Sequence, residues 1–296
     1  MVRGPRLGRR ELVGGAVAAA AGTLAGCRRV RPDDARVAPA MAAVRHLAGV
    51  VGPRPGTAPS YFRAADWVTA RLERLDWQVE RQRFAVPGGI SWGVPVDGGD
   101  SVNLVAQRGD VRPGRPWLAV GAHLDTVPQS PGAEDNASGI GVLLAVARAL
   151  VWRRTRLPVV LIAFGAEEPR GPTDDDHHYG SRAYVDRLTP ARRRSLRGMV
   201  SLDRVGVGDA VVIGSAEDAD PLRDALVAAA ERAGAPYVVE SGQRSSDHWS
   251  FVRDGLPGVR LGSTPYAGYH SPGDVVPVVD PRQLERAART VVGWLR

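Results

Sequence analysis

Five side chains of metal-ligating type stand at or just beyond the ends of apolar runs, and that placement restricts the fold more than any other feature of the chain. They are His123 in GAHLD, Asp135 in AEDNASG, Glu168 in FGAEEP, Asp203 in SLDRVG and His270 in GYHSPGD. Four of them close or follow a run that reads as a buried strand: 117–122, 158–165, 198–202 and 258–262. Open α/β sheets place their ligands outside the carboxyl ends of the strands. Separate strands would therefore deliver nitrogen and oxygen donors to one edge.

Between these runs the periodicity changes. Apolar residues recur at helical spacing over 38–50 and 60–75, where Trp67, Leu72 and Leu75 share a face, and again over 137–151, 181–188, 220–233 and 281–295. Strand patterns cover 77–86, 101–107, 210–214 and 237–240, and a short helix is expected near 247–253. The stretch 87–100, rich in Gly and Pro, reads as a loop, and GPRPGT (52–57) as a breaker-rich turn. Strands alternating with helices predict an α/β fold. The expectation is a single three-layer α/β/α domain over 38–296, with a mostly parallel central sheet covered by helices on both faces.

The amino terminus is a different kind of sequence. Arg3, Arg6, Arg9 and Arg10 precede a weakly apolar Ala/Gly stretch over 12–25, too short for an ordinary transmembrane helix. RRELV (9–13) resembles a twin-arginine export signal, and LAGC (24–27) resembles a bacterial lipobox. Residues 1–26 are therefore expected to be a signal peptide. Cys27 would be the lipidated first residue and 27–37 a tether. Export to the outer face of the cytoplasmic membrane follows, with secretion as the alternative. Cys27 is the only cysteine, so the chain has no internal disulfide and no thiol nucleophile to place in a site.

The net charge of +7 invites a nucleic-acid reading, but the sequence argues against it. Every one of the 39 basic residues is Arg, in a chain rich in Ala, Gly, Val and Pro, as GC-rich coding produces. Residues 1–26 carry four Arg and one Glu, so their removal lowers the charge to +4. No basic block is interleaved with stacking aromatics, as single-strand binders require. The chain is expected to act as a monomer on something other than nucleic acid.

Each ligand candidate has a plainer reading. His123 and Asp125 sit two apart at a strand end, where His-x-Asp is often structural. Asp135 opens a helix and is a good N-cap residue. The adjacent pair Glu167-Glu168 is harder to explain structurally. Two carboxylates leaving an apolar strand are costly unless positive charge stands beside them. Zinc accepts such nitrogen and oxygen donors, and a pair of zinc ions needs a bridging carboxylate with terminal ligands on each side.

Taken together, GAHLD…DNASG…EE…SLD…YHSP resembles the co-catalytic zinc aminopeptidase family, which includes bacterial leucyl aminopeptidases and glutaminyl cyclases (clan MH). The resemblance runs from about Ala38 to Arg296, and GPRPGT and SDHWSF (246–251) also fit. It implies two Zn2+ ions, with His123 and Asp203 as terminal ligands of one, Glu168 and His270 of the other, and Asp135 as the bridge. It makes Glu167 the general base and Asp125 the partner that orients His123. Tyr269 matches a position where some secreted members use a phenol to stabilise the reacting oxygen, although a packed aromatic is the plainer reading. Asp247 and His248 would support the site from behind, and His46 would be structural.

Two features depart from the pattern: the long polar segment 169–179 after Glu168, expected to form a solvated pocket lip, and Arg204 beside Asp203. The resemblance implies an exopeptidase acting on amino-terminal residues of peptides. Its rivals are a glutaminyl-cyclase-like enzyme with one zinc, favoured by YGSR (179–182), a carboxypeptidase using Arg204 or Arg170, and a degenerate binding domain.

Overall fold

The computed structural model describes residues 37–109 and 111–296. The export segment 1–26, Cys27 and the expected tether lie outside these residues, except Val37, which opens the first helix. Among the described residues no helix is long and apolar enough to cross a membrane.

Helix α1 (Val37–His46) runs into a π-helical turn, Leu47–Val51, and α2 (Pro59–Glu73) follows the GPRPGT turn. Strand β1 (Gln78–Val86) leads to a small hairpin of β2 (Gly89–Ser91) and β3 (Val94–Val96), and then to β4 (Gly99–Gln107). The hairpin stands within the stretch expected to be a loop. Its strands are three residues long, too short for an alternation to be visible in sequence. Next come β5 (Trp117–His123), α3 (Gly139–Val151), β6 (Val159–Phe164), α4 (Tyr179–Asp186) and α5 (Pro190–Ser195). Helix α5 was not expected, although Thr189 caps it through Arg192 N–H and Pro190 starts it as such helices often start. Strands β7 (Leu196–Leu202) and β8 (Val211–Gly214), helix α6 (Pro221–Ala233), strand β9 (Tyr237–Glu240), helix α7 (His248–Arg253), strand β10 (Gly258–Gly262) and helix α8 (Pro281–Leu295) complete the chain.

The eight-stranded sheet has the order β1-β4-β6-β5-β7-β10-β8-β9. Its middle, β6-β5-β7-β10, is parallel. On one side β1, β4 and β6 pair antiparallel, and on the other β10 and β8 do, with β9 parallel to β8. The sheet is thus mixed, with a parallel centre. The connection from β1 to β4 carries only the β2–β3 hairpin and no crossover helix, so that pair is antiparallel.

Every residue of β5 and β6 is buried, as strands covered on both faces require. Successive side chains point to opposite faces. Leu118, Val120 and Ala122 face a core built with α1, α2, α3, α6 and α8, while Trp117 and Ala119 face Tyr184 of α4 and Phe251 of α7. That three-layer packing holds the carboxyl ends of β5, β6 and β7 side by side. The parallel register pairs His123 with Phe164 and Gly121 with Ser201.

Candidate active site

His123 is the last residue of β5, Asp203 follows β7 directly, and Glu167 and Glu168 lie just beyond β6. Asp135 comes from the turn before α3 and His270 from the turn after β10. Asp135 stands between the two histidines. Its Oδ1 is 3.1 Å from His123 Nε2 and its Oδ2 is 3.0 Å from His270 Nε2. Asp203 Oδ1 is 3.6 Å from His123 Nε2, and Glu168 Oε2 is 3.3 Å from His270 Nε2. Three three-residue groups result, His123–Asp135–Asp203, Asp135–Glu168–His270 and His123–Glu167–Glu168, each with donor atoms within 4.8 Å of one another. The first two share Asp135.

The donor set fits metal ions. Asp135, Glu167, Glu168 and Asp203 are all buried, and Glu168 Oε1 and Asp203 Oδ1 have no hydrogen-bond partner. Buried carboxylates held this close need positive charge among them, and a set of His and carboxylate donors suits zinc. Burial pushes the Glu167 carboxyl up to about 8, with Asp203, Asp125 and Asp135 adding to the rise against His123. Burial likewise takes Glu168 up to about 7. Asp203 goes the other way. Burial would raise it, but Arg260 and Arg204 outweigh that and hold it well below the usual carboxylate range.

Polar contacts from distant parts of the chain position these ligands. Asp274 accepts the backbone N–H groups of Glu134 (2.8 Å) and Asp135 (3.0 Å). Asn136 donates to Leu202 C=O at 2.8 Å and accepts Arg204 N–H at 3.2 Å. The Glu134 carboxylate receives Gly206 N–H at 2.8 Å and the Ser263 hydroxyl at 2.7 Å. The DNAS segment therefore clamps Asp135 against the loop that carries Asp203. Gly132, at φ 64°, makes the turn into this segment, and a Cβ there would clash with Thr126 Cγ2.

Arg54 of the GPRPGT turn is fully buried. It donates to the carbonyls of Leu124 (2.7 Å), Pro131 (2.7 Å) and Gly132 (3.0 Å), joining the loops on either side of Asp125 and Asp135. Burial lowers its pKa to about 10, still far above neutrality, so it remains a cation beneath the carboxylates.

One supporting role differs from expectation. The nearest partner of His123 Nδ1 is the backbone carbonyl of Asp125, at 3.2 Å, and the Asp125 carboxylate is 3.8 Å away. That carboxylate instead accepts the N–H groups of Glu167 and Glu168. The side chain reaches across to the next strand end because two unpaired N–H groups point at it there. His248 and Asp247 are buried behind the ligands. His248 Nε2 bonds Gln243 C=O at 2.9 Å, and neither side chain lines the cavity.

The cluster of histidines and carboxylates forms the floor of a cavity of about 470 Å³, whose walls include Trp92, His177, Arg204, Arg244 and Tyr269. Trp92 is carried there at the tip of the β2–β3 hairpin, which rests on the Arg170 carbonyl through Ile90 N–H. Tyr269 stacks on His270 with ring centroids 3.7 Å apart, and the Arg204 guanidinium lies 4.6 Å from its ring centre. Of the 169–179 segment, Pro169, Asp174, His177 and His178 line the cavity and Asp175 pairs with Arg253 at 2.8 Å. His178, expected on a solvated lip, is turned inward and buried, with Nε2 3.1 Å from Glu167 Oε1. No three-ligand group among the described residues includes residues 174–178. Sequence reasoning missed Arg54, Glu134, Asp274 and His178 as site residues, although each lay in a stretch already singled out: GPRPGT, AEDNASG, GYHSPGD and 169–179.

Residues 103–295 match peptidase family M28. Aminopeptidase YwaD of Bacillus subtilis is 30% identical over 183 residues, which cover 58% of this chain and 39% of that protein. The chain thus spans well under half of that relative. Among solved structures, the zinc aminopeptidase BSAP of Bacillus subtilis superposes with a TM-score of 0.76 at 18% identity, over 87% of this chain and 93% of that one. The glutaminyl cyclase of Porphyromonas gingivalis superposes with a TM-score of 0.73 at 22% identity, over 88% and 97%. At these identities the two structures share the fold.

Proposed function

The chain belongs to peptidase family M28, and from that premise we propose that it is a metal-dependent aminopeptidase that removes amino-terminal residues from peptides with the aid of two zinc ions. The observation that carries the two-ion reading is Asp135, whose two oxygens face two different histidines 3.1 and 3.0 Å away. His123 and Asp203 would hold one ion and Glu168 and His270 the other, with Asp135 between them. Bound there, zinc would polarise the scissile carbonyl and make water acidic enough to lose a proton near neutrality.

The protein's own groups do the rest. Glu167, raised to about 8 by burial, is suited to accept a proton from water and return it to the leaving amine. Tyr269, on the cavity wall, would donate its phenol hydrogen to the oxyanion. The carboxylates of Glu167, Asp203 and Asp135 surround the cavity floor and favour a free ammonium, which is why the amino end of the peptide is proposed to bind there. A pair of otherwise identical peptides tests this, one acetylated at its amino terminus and one amidated at its carboxyl terminus. Cleavage of the acetylated peptide alone would show the assignment of the substrate end to be wrong.

One observation favours a second reading, a single-zinc glutaminyl-cyclase-like enzyme. Both Asp203 oxygens already face guanidinium groups, with Arg204 Nε 3.4 Å from Oδ1 and Arg260 Nε 3.2 Å from Oδ2. If those pairs persist, only the Asp135–Glu168–His270 group would hold metal. Incubating the zinc-loaded protein with Gln-initiated peptides distinguishes the two, since release of the Gln residue supports the peptidase and loss of ammonia supports the cyclase.

We also propose that the chain is exported and anchored through lipidated Cys27, as LAGC after a short apolar stretch suggests. A Cys27→Ala form that stays membrane-bound after signal removal would contradict this. The proposed enzyme acts as a monomer, to be checked by light scattering.

A further inference from the structure

We infer that His178 is a positioning residue for Glu167, holding one oxygen of that carboxylate so that the other faces the reacting water. This deepens the peptidase reading and rests on it. His178 Nε2 lies 3.1 Å from Glu167 Oε1, and both side chains are buried. The backbone fixes the pair as well, because His178 N–H donates to Glu167 C=O at 2.9 Å and Tyr179 N–H to Ala166 C=O at 3.0 Å. The returning segment is thus laced to the end of β6. The His178 carbonyl in turn accepts Arg182 N–H at 3.0 Å as α4 begins.

His178 also has a φ of 57°, a left-handed conformation uncommon outside glycine. There it closes the segment over Glu167 at the base of the cavity. The preceding residue, His177, lines the cavity with it but is only partly buried. The two histidines are therefore not equivalent, although the sequence presents them as a pair.

The role follows from the donors available. Burial lowers the His178 pKa, so the ring is neutral at pH 7 and carries one N–H. When Glu167 is ionised, as it must be to act as the base, the Nε2 that faces its oxygen carries that N–H. A carboxylate with no fixed partner rotates about its last bond and spends part of its time turned away from the water. A donor on Oε1 removes that freedom and leaves Oε2 as the base. A neutral donor also leaves the carboxylate basic, whereas a guanidinium in the same place would lower its proton affinity.

The test uses the zinc-loaded full chain with His178→Leu and His178→Gln. Leucine fills space without a donor, and the glutamine amide puts one at about the place of Nε2. For His178→Leu kcat is expected to fall about 10- to 100-fold, the rate equivalent of one hydrogen bond to a charged group. KM and zinc content should stay as in the wild type, and His178→Gln should recover most of the loss. Nitrogen-15 resonances of the imidazole provide a readout that needs no activity. They should show the Nε2–H tautomer, and Glu167→Ala should shift the Nε2 signal. Wild-type kcat in His178→Leu, an equal loss in both variants, or an Nδ1–H tautomer would each overturn the inference. A wild-type protein that cuts no peptide would instead overturn the peptidase reading, and the ring resonances would then decide His178 alone.

Discussion

Asp125 Oδ1 accepts the backbone N–H of Glu167 at 3.0 Å, so a residue at the end of β5 fixes the backbone of the proposed general base beyond β6. Its second oxygen takes the N–H of Glu168 at 3.2 Å. One buried carboxylate thus aligns two neighbouring residues with different proposed roles, a proton acceptor and a metal ligand. Asp125→Asn keeps one acceptor and turns an amide N–H2 towards the other backbone N–H. It is expected to destabilise the protein by about 1–3 kcal/mol, the usual penalty for an unsatisfied buried group, and to lower kcat. Denaturant midpoints and rates measured together check this, and a variant with unchanged rate would show that the alignment is dispensable.

The division of labour between the two glutamates is open to direct trial. Glu167→Gln is expected to lower the rate by about 10²–10⁴, the span for a lost general base, while zinc content stays near the wild-type value. Glu168→Gln should instead lose zinc. Equal metal loss in both variants would end the distinction.

Metal analysis of the purified protein should settle at two zinc ions per chain. Because four buried carboxylates surround the site, chelation is expected to lower the melting temperature as well as the activity. Free zinc at about 1,000 times Kd would add about 4 kcal/mol to stability by mass action. A plateau at one ion, with Asp203 still paired to Arg204 and Arg260, would favour the cyclase-like reading.

Arg54 should matter for stability beyond its distance from the reaction. Replacing it with Met removes donors from the carbonyls of Leu124, Pro131 and Gly132 and a buried cation from beneath the carboxylates. A loss of about 3–5 kcal/mol is expected, as for breaking a buried charged interaction, read from urea unfolding at constant m. A loss under about 1 kcal/mol, within the range of ordinary surface changes, would mean that the two loops hold themselves.

His248 gives a pH dependence with a definite sign. Burial lowers its pKa to about 4, against 6.5 in the unfolded chain. Between those values the unfolded state binds the proton and the folded state does not. Its contribution to stability is therefore complete above pH 6.5 and is lost as the pH falls towards 4. Asp247, pushed up to about 7 by burial, acts in the opposite direction, its contribution fading as the pH rises from about 4 to 7. The measurement is thus a difference: His248→Gln should flatten the acid-side slope of the unfolding free energy relative to wild type. An unchanged slope would show that His248 does not titrate as its burial implies.

The chain's local patterns determine much of this molecule. Strands β9 and β10 and helix α8 occupy the residues that apolar periodicity marks for them, because alternation and helical spacing are properties of consecutive residues. The residue types at the strand ends likewise show which side chains can meet at one edge once the middle of the sheet is parallel. What periodicity cannot carry is the partner of a polar group. Asp125 and Glu167 are 42 residues apart in the chain, and Asp274 and Glu134 are 140 apart. Only the packing of β5 beside β6, and of the turn after β10 over the start of α3, decides that Asp125 holds backbone rather than His123. The same is true of His178, which the loop's return buries against Glu167 while His177 stays partly exposed, and of the antiparallel strands at the sheet's sides. A hydrogen bond is directional and short, so its assignment waits for three-dimensional placement, whereas burial needs only the right residue on the right face.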